Sequence, residues 1–229
     1  MADFRPTFIR CQIRSETELM ARPREFDPEK ALQVAVDVFW EKGYFDASVD
    51  EVVRRSGVAK YGIYGTFGTK DELFRKVLEK YAEDRKNGIQ RVLEQENAAL
   101  PELKKFFDDA VVMMTSQKNR YGCLLCNTAM EVGTANAEFQ AIVNGFFRNL
   151  TRAIRRCLTR AVDRGQLDQS MDKAEIATYL TNEFRTALML ARSGESRRSI
   201  RQHVNVAMRV LKRATTNGGQ ENGKRDRVI

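Results

Sequence analysis

Residues 48–70, SVDEVVRRSGVAKYGIYGTFGTK, constrain the fold of this chain most. They read as two short helices around a tight turn at Ser56-Gly57-Val58, an arrangement that places a helix in a DNA major groove. Ser48 is expected to cap the first helix, with Glu51 closing a capping box. Val49, Val52 and Val53 supply its apolar side, and Gly57 takes the turn position where a left-handed backbone costs least. The second helix starts near Ala59 and carries Lys60, Tyr61 and Tyr64 before Phe67 returns to the core. Gly68-Thr69 stops it, and Thr69 with Glu72 opens another capped helix.

The same helical grammar runs through the rest of the chain. Asp27-Pro28-Glu29 is a capping residue followed by proline at the first helical position, and Gly43 ends the helix it opens. A fourth helix is expected from about Lys70 to Val92, with later helices near 101–114, 123–132, 136–164, 172–192 and 196–213. The chain therefore reads as all-α, about nine helices. Residues 27–80 form a three-helix DNA-binding domain with a helix-turn-helix, and 81–213 a larger helical domain. Residues 1–26 read as a flexible arm, and the Gly/Asn-rich tail 214–229 as disordered. Met20 precedes what looks like a natural beginning, so translation from Met20 is as compatible with the sequence as from Met1.

Charge distribution matters more than its total. Residues 1–80 hold 14 basic and 14 acidic side chains, whereas residues 139–229 hold 18 and 8, so the net +8 lies far from the reading helix. Phosphate contact must come from a few placed side chains, which argues against a nonspecific DNA-coating protein. No stretch approaches the roughly 20 apolar residues of a membrane span, and no secretion signal opens the chain, so the expected location is the cytoplasm. With a single histidine, His203, and no glycine-rich phosphate loop, there is little from which to build an enzyme, and no cofactor or metal is expected. Cys123-Leu-Leu-Cys126 could be a redox couple. Its apolar helical setting favours two small core residues instead, and the four cysteines are too scattered for a disulfide framework.

The run FDPEKALQVAVDVFWEKGYFDASVDEVVRRSGVAKYGIYGTFGTKDELFRKVLEKY, residues 26–81, resembles the tetracycline-repressor (TetR) family of bacterial transcription regulators. YGCLLCNTAMEVG, residues 121–133, is similar to the start of one subgroup's regulatory domain. The resemblance implies a homodimer that binds double-stranded operator DNA and is released, in most members as a repressor, by a small-molecule effector. The two reading helices would fall one DNA turn apart, about 34–36 Å. It also implies phosphate contacts at Ser48 and at a second cluster of Thr66, Thr69 and Lys70.

Lys60, Tyr61 and Tyr64 are the side chains expected to read DNA, Tyr64 having a core role as its alternative. Gly62 and Gly65 leave the reading helix short of side chains, for which close approach to DNA would compensate. Ala59 stands where the family commonly has a hydroxyl. Arg22 and Arg24 flank Pro23 and could enter a minor groove, or simply be a solvated basic tail. The effector pocket implied by the family would be lined by Phe106, Met113, Cys126, Asn127, Met130, Phe146 and Phe184, with Asn127 orienting the ligand. Phe184, Ala187, Leu188, Ala191, Val204 and Leu211 are expected at a two-fold interface of the last two helices.

Overall fold

The computed structural model describes residues 26–214, in which nine α-helices and three short 3₁₀ segments follow one another without a strand. Arg22, Arg24, nearly all of the arm at 1–26 and the tail beyond Ala214 lie outside the described residues. Among the described residues no helix is long and apolar enough to cross a membrane.

The helix starts follow the capping chemistry of the sequence. Asp27 accepts from the Glu29 amide at 3.0 Å to open α1, Pro28–Asp46. Ser48 accepts from the Glu51 amide at 3.2 Å to open α2, Val49–Ser56. The box expected there is only half formed. The Glu51 carboxylate is buried, and a buried carboxylate needs cations, so it takes Lys42 of α1 together with Arg55 and Arg54. Its pKa is held down by the hydrogen bond from Lys42 and then by that from Arg55. Gly57, at φ 70°, turns the chain into α3, Lys60–Phe67. At Thr69 the full capping box is present and starts α4, Lys70–Asn87.

The fourth helix is shorter than its periodicity suggests. It stops at Asn87 because Gly88 leaves helical geometry, and the chain tightens into a 3₁₀ segment, Ile89–Glu94. That switch buries Gln90 and Leu93 against the body. Then come α5, Leu100–Met114, and the short α6, Leu124–Glu131. The long α7, Ala137–Asp163, packs along α8, Lys173–Arg192, and α9, Arg197–Ala214, lies against α8 and α5.

The buried core runs continuously from α1 to α9. Its junction is aromatic. Phe74 of α4 lies 4.8 Å from Phe39 of α1, 5.0 Å from Tyr44 and 5.0 Å from Phe139 of α7, in tilted or edge-on geometries suited to ring quadrupoles. Phe74 thus belongs equally to the DNA-binding end and to the body. Truncating it, Phe74→Ala, is expected to cost about 3–5 kcal/mol, read as a lower urea midpoint.

Candidate nucleic-acid interface

Helix α3 is fixed from inside by Ile63 and Phe67, four residues apart and both buried. That anchorage turns Lys60, Tyr61, Tyr64, Gly65 and Thr66 outward. Tyr61 is 73% and Tyr64 42% exposed, so Tyr64 is not a core residue. Ala59 provides no side-chain cap, which leaves the first amides of α3 without a side-chain acceptor at the end of the helix that favours anions.

The other expected contacts differ in how freely they could meet DNA. Lys60 pairs with Asp50 of α2 at 2.7 Å, and the hydrogen bond it donates to Asp50, with the carboxylate's charge, raises the lysine pKa. Both partners are exposed, so the pair is weak in water and a phosphate can replace it. Ser48 is exposed, its Oγ accepting from Glu51. Thr66 is also exposed, whereas Thr69 donates to Glu72 within its capping box. Lys70 is half-buried: its Nζ donates to the Phe45 carbonyl at 3.3 Å and lies 4.8 Å from the Tyr44 ring centroid.

The two glycines of α3 do different things. A Cβ at Gly62 would meet Val58 at 3.2 Å and the Phe26 ring at 3.3 Å, so Gly62 makes room for Phe26. At Gly65 nothing lies within 4 Å, so the backbone there is open to a close approach from outside.

Sequence reasoning missed the group that holds this end of the molecule in place. The Glu131 carboxylate, from the end of α6, accepts the Tyr44 amide at 2.9 Å and the Phe45 amide at 2.7 Å. Gly43 has φ 83°, a backbone that favours glycine, and a Cβ there would fall 2.6 Å from a Glu131 oxygen and push the carboxylate aside. Tyr44 in turn donates to Asp71 of α4, and its pKa is pushed up to about 12 by burial, by that hydrogen bond and by the Asp71 charge. Trp40 Nε1 donates to the Gly122 carbonyl at 2.8 Å, a second tie between α1 and the segment before α6. The sequence signals were Gly43-Tyr44 and the Glu131 that closes CLLCNTAME, but nothing in their spacing brings them together.

Cys123 is the N-cap residue of α6, and Cys126 lies one turn on; both are buried free thiols. The hydrogen bond from Cys126 holds the Cys123 thiol below its usual range against the opposing effect of burial, helped by the amides of Cys126 and Leu125 and by Tyr81 of α4. The Cys126 thiol is pushed up by the same hydrogen bond and by burial.

The expected pocket residues sit in different surroundings. Phe106 and Phe184 are buried with ring centroids 5.2 Å apart, and Cys126 and Phe146 are buried as well. Met113 accepts from Arg85 at 3.4 Å. Asn127 donates to the Tyr121 carbonyl at 2.8 Å, so it holds a loop, and Met130 is 72% exposed. At the expected two-fold surface, Phe184, Ala187, Leu188, Val204 and Leu211 are buried within the chain's own core and Ala191 is half-buried. Helical period identifies an apolar face but not which chain covers it. The exposed positions of α8 include Tyr179, Asn182, Thr186 and Met189, and Val206 is exposed on α9.

Replacing Glu131 by alanine removes the acceptor for two amides. Exchange of the Tyr44 and Phe45 amide hydrogens is expected to quicken about tenfold or more, measured by hydrogen exchange, with α8 and α9 unchanged.

Comparison with known proteins agrees with this arrangement. Residues 31–77 match the model for bacterial regulatory proteins of the tetR family, and residues 99–207 that for the tetracyclin repressor-like C-terminal domain. The chain is 26% identical over 193 residues to the uncharacterized HTH-type transcriptional regulator YezE of Bacillus subtilis, covering 84% of this chain and all of that one. It is 25% identical over 192 residues to the HTH-type transcriptional repressor ComR of Escherichia coli, covering 82% and 90%. Among solved structures, the regulator CifR, as a cysteine mutant with 26-bp operator DNA, aligns with TM-score 0.72 and 26% identity over 83% of this chain and 98% of that one. Reduced NemR of E. coli aligns with TM-score 0.71 at 14% identity over 80% and 96%, a likeness of fold. With both halves of its architecture matched and an exposed reading helix at its N-terminal end, the chain belongs to the tetracycline-repressor family of helix-turn-helix transcriptional regulators.

Proposed function

We propose that this regulator is a homodimeric repressor that binds a two-fold symmetric operator and leaves it when a small molecule occupies the C-terminal domain. The exposed face of α3 carries this reading: Lys60, Tyr61, Tyr64 and Thr66 project beside the open Gly65, on a helix anchored by two buried side chains. Relatives described as repressors and a relative bound to operator DNA support it. The exposed apolar side chains of α8 and α9, Tyr179, Met189 and Val206, suit the two-fold contact.

The test is fluorescence anisotropy on the DNA upstream of its own gene, against scrambled DNA, across a salt series. Retained preference at rising salt supports a specific regulator, and equal binding to all genomic fragments would remove the reading. Tyr61→Ala and Tyr64→Ala should each weaken operator binding about 10- to 100-fold, while Lys60→Ala should lower the salt slope by about 1. Met189→Glu with Val206→Glu should shift the protein to monomer in sedimentation.

A second reading, thiol-based sensing of oxidants, is favoured by one observation. Cys123 sits at a helix N-terminus with its thiol held low, hydrogen-bonded to Cys126 and reached by Tyr81 of the helix that carries the DNA-binding end. Oxidation would break two S–H bonds and form one S–S bond, passing two electrons and two protons to a diazene or peroxide oxidant. Diamide should then release operator DNA from the wild-type protein and leave Cys123→Ser bound. Equal behaviour of the two would exclude the thiol reading and leave the ligand reading standing.

A further inference from the structure

Part of the basic excess of residues 139–229 gathers on one helix. Helix α7 carries Arg148, Arg152, Arg155, Arg156 and Arg160, spaced so that several share one face. Arg152 and Arg156 form one wall of a groove of about 520 Å³ closed on its other side by Lys86, at the end of α4, and by Gln90 and Arg91 of the following 3₁₀ segment. The groove continues past Arg152 and Arg156 into a second hollow of about 340 Å³ that contains Arg155 and Thr159.

Four cations and one carboxylate, Glu94, line the larger groove. Glu94 is engaged by Arg156 at 2.5 Å. Lys86 makes only an exposed contact of 3.6 Å with Glu83, and Arg152 donates to Asn149. Among the described residues neither Arg91 nor Arg152 has a carboxylate partner within 4.0 Å. Gln90 also lines the groove; it is 2% exposed, and its Nε2 is the one buried side-chain nitrogen or oxygen among the described residues that lacks a hydrogen-bond partner. Buried amide donors are almost always satisfied, so an unfilled one lining a cationic groove marks the place of an absent acceptor.

We propose that this groove binds a small polyanion, a compound with two closely spaced acid groups of the diphosphate kind. Arg91 and Arg152 meet it from opposite walls, and Gln90 supplies the neutral donor. The volume is that of a small-molecule site. A DNA backbone is the poorer occupant. The groove sits at the C-terminal end of the 18-residue α4, and α3 precedes the other end, about 27 Å away at 1.5 Å per residue.

The experiment is calorimetric titration of the full chain with sodium pyrophosphate at fixed ionic strength, without DNA, so its result is independent of whether the protein represses anything. One saturable site is expected, weakened at least tenfold by Arg91→Gln with Arg152→Gln and several-fold by Gln90→Leu, with Lys60→Ala unchanged. Pyrophosphate should also slow hydrogen exchange in residues 86–94 and 149–156 of the wild-type protein, a readout that needs no variant. Absence of saturation, absence of that protection, or full affinity in the double variant overturns the proposal. So does scrambled duplex DNA that displaces pyrophosphate and loses affinity equally in the double variant, which would make the groove a nucleic-acid surface.

Discussion

One carboxylate holds the DNA-reading end of this molecule to its body. Glu131, at the end of α6, accepts two consecutive amides, and the left-handed Gly43 is what lets those amides face it. Hydrogen bonds to a charged acceptor contribute about 1.5–3 kcal/mol each, more than most single contacts at a surface. Around this point Tyr44 bonds to Asp71, Lys70 to the Phe45 carbonyl and Trp40 to the Gly122 carbonyl. The aromatic junction at Phe74 fills the space beneath. α6 thus contacts the C-terminal end of α1 directly, and that end of α1 bonds in turn to the start of α4.

The reading surface is economical. Its helix has one cation, Lys60, which in the free protein is paired with Asp50, and two exposed tyrosines. Such a surface gains little from long-range attraction and depends on side chains held in place, which is the role of Ile63 and Phe67 inside. The positive excess of the chain lies elsewhere, in residues 139–229, with five arginines of it on α7. A total charge of +8 thus describes two separate regions with different chemistry.

Local signals were read well where the physics is local. Asp27, Ser48 and Thr69 cap the helices they were expected to cap, and Gly57 turns the chain as its lack of a Cβ allows. Where a side chain found a distant partner, its spacing gave no sign of it. Glu51 leaves its capping box half formed and takes Lys42 and Arg55, and Gly62 leaves room for Phe26. Asn127 donates to the Tyr121 carbonyl, and Lys70 to that of Phe45. Val204 and Leu211 face α9's own neighbours, since a period of 3.6 says that a face is apolar without saying what covers it.

The amino-acid order by itself determined nine helices, most of their ends, the helix-turn-helix and which side of α3 carries tyrosines and lysine. These follow from capping, backbone permissiveness and periodicity, which act over a few residues. The tertiary structure alone decided that Glu131 meets Gly43, that the expected pocket aromatics pack on one another, and that Gln90 lies unpaired in a groove with arginines of α7. Those contacts join residues far apart in the chain, and their partners are chosen by the packing of whole helices.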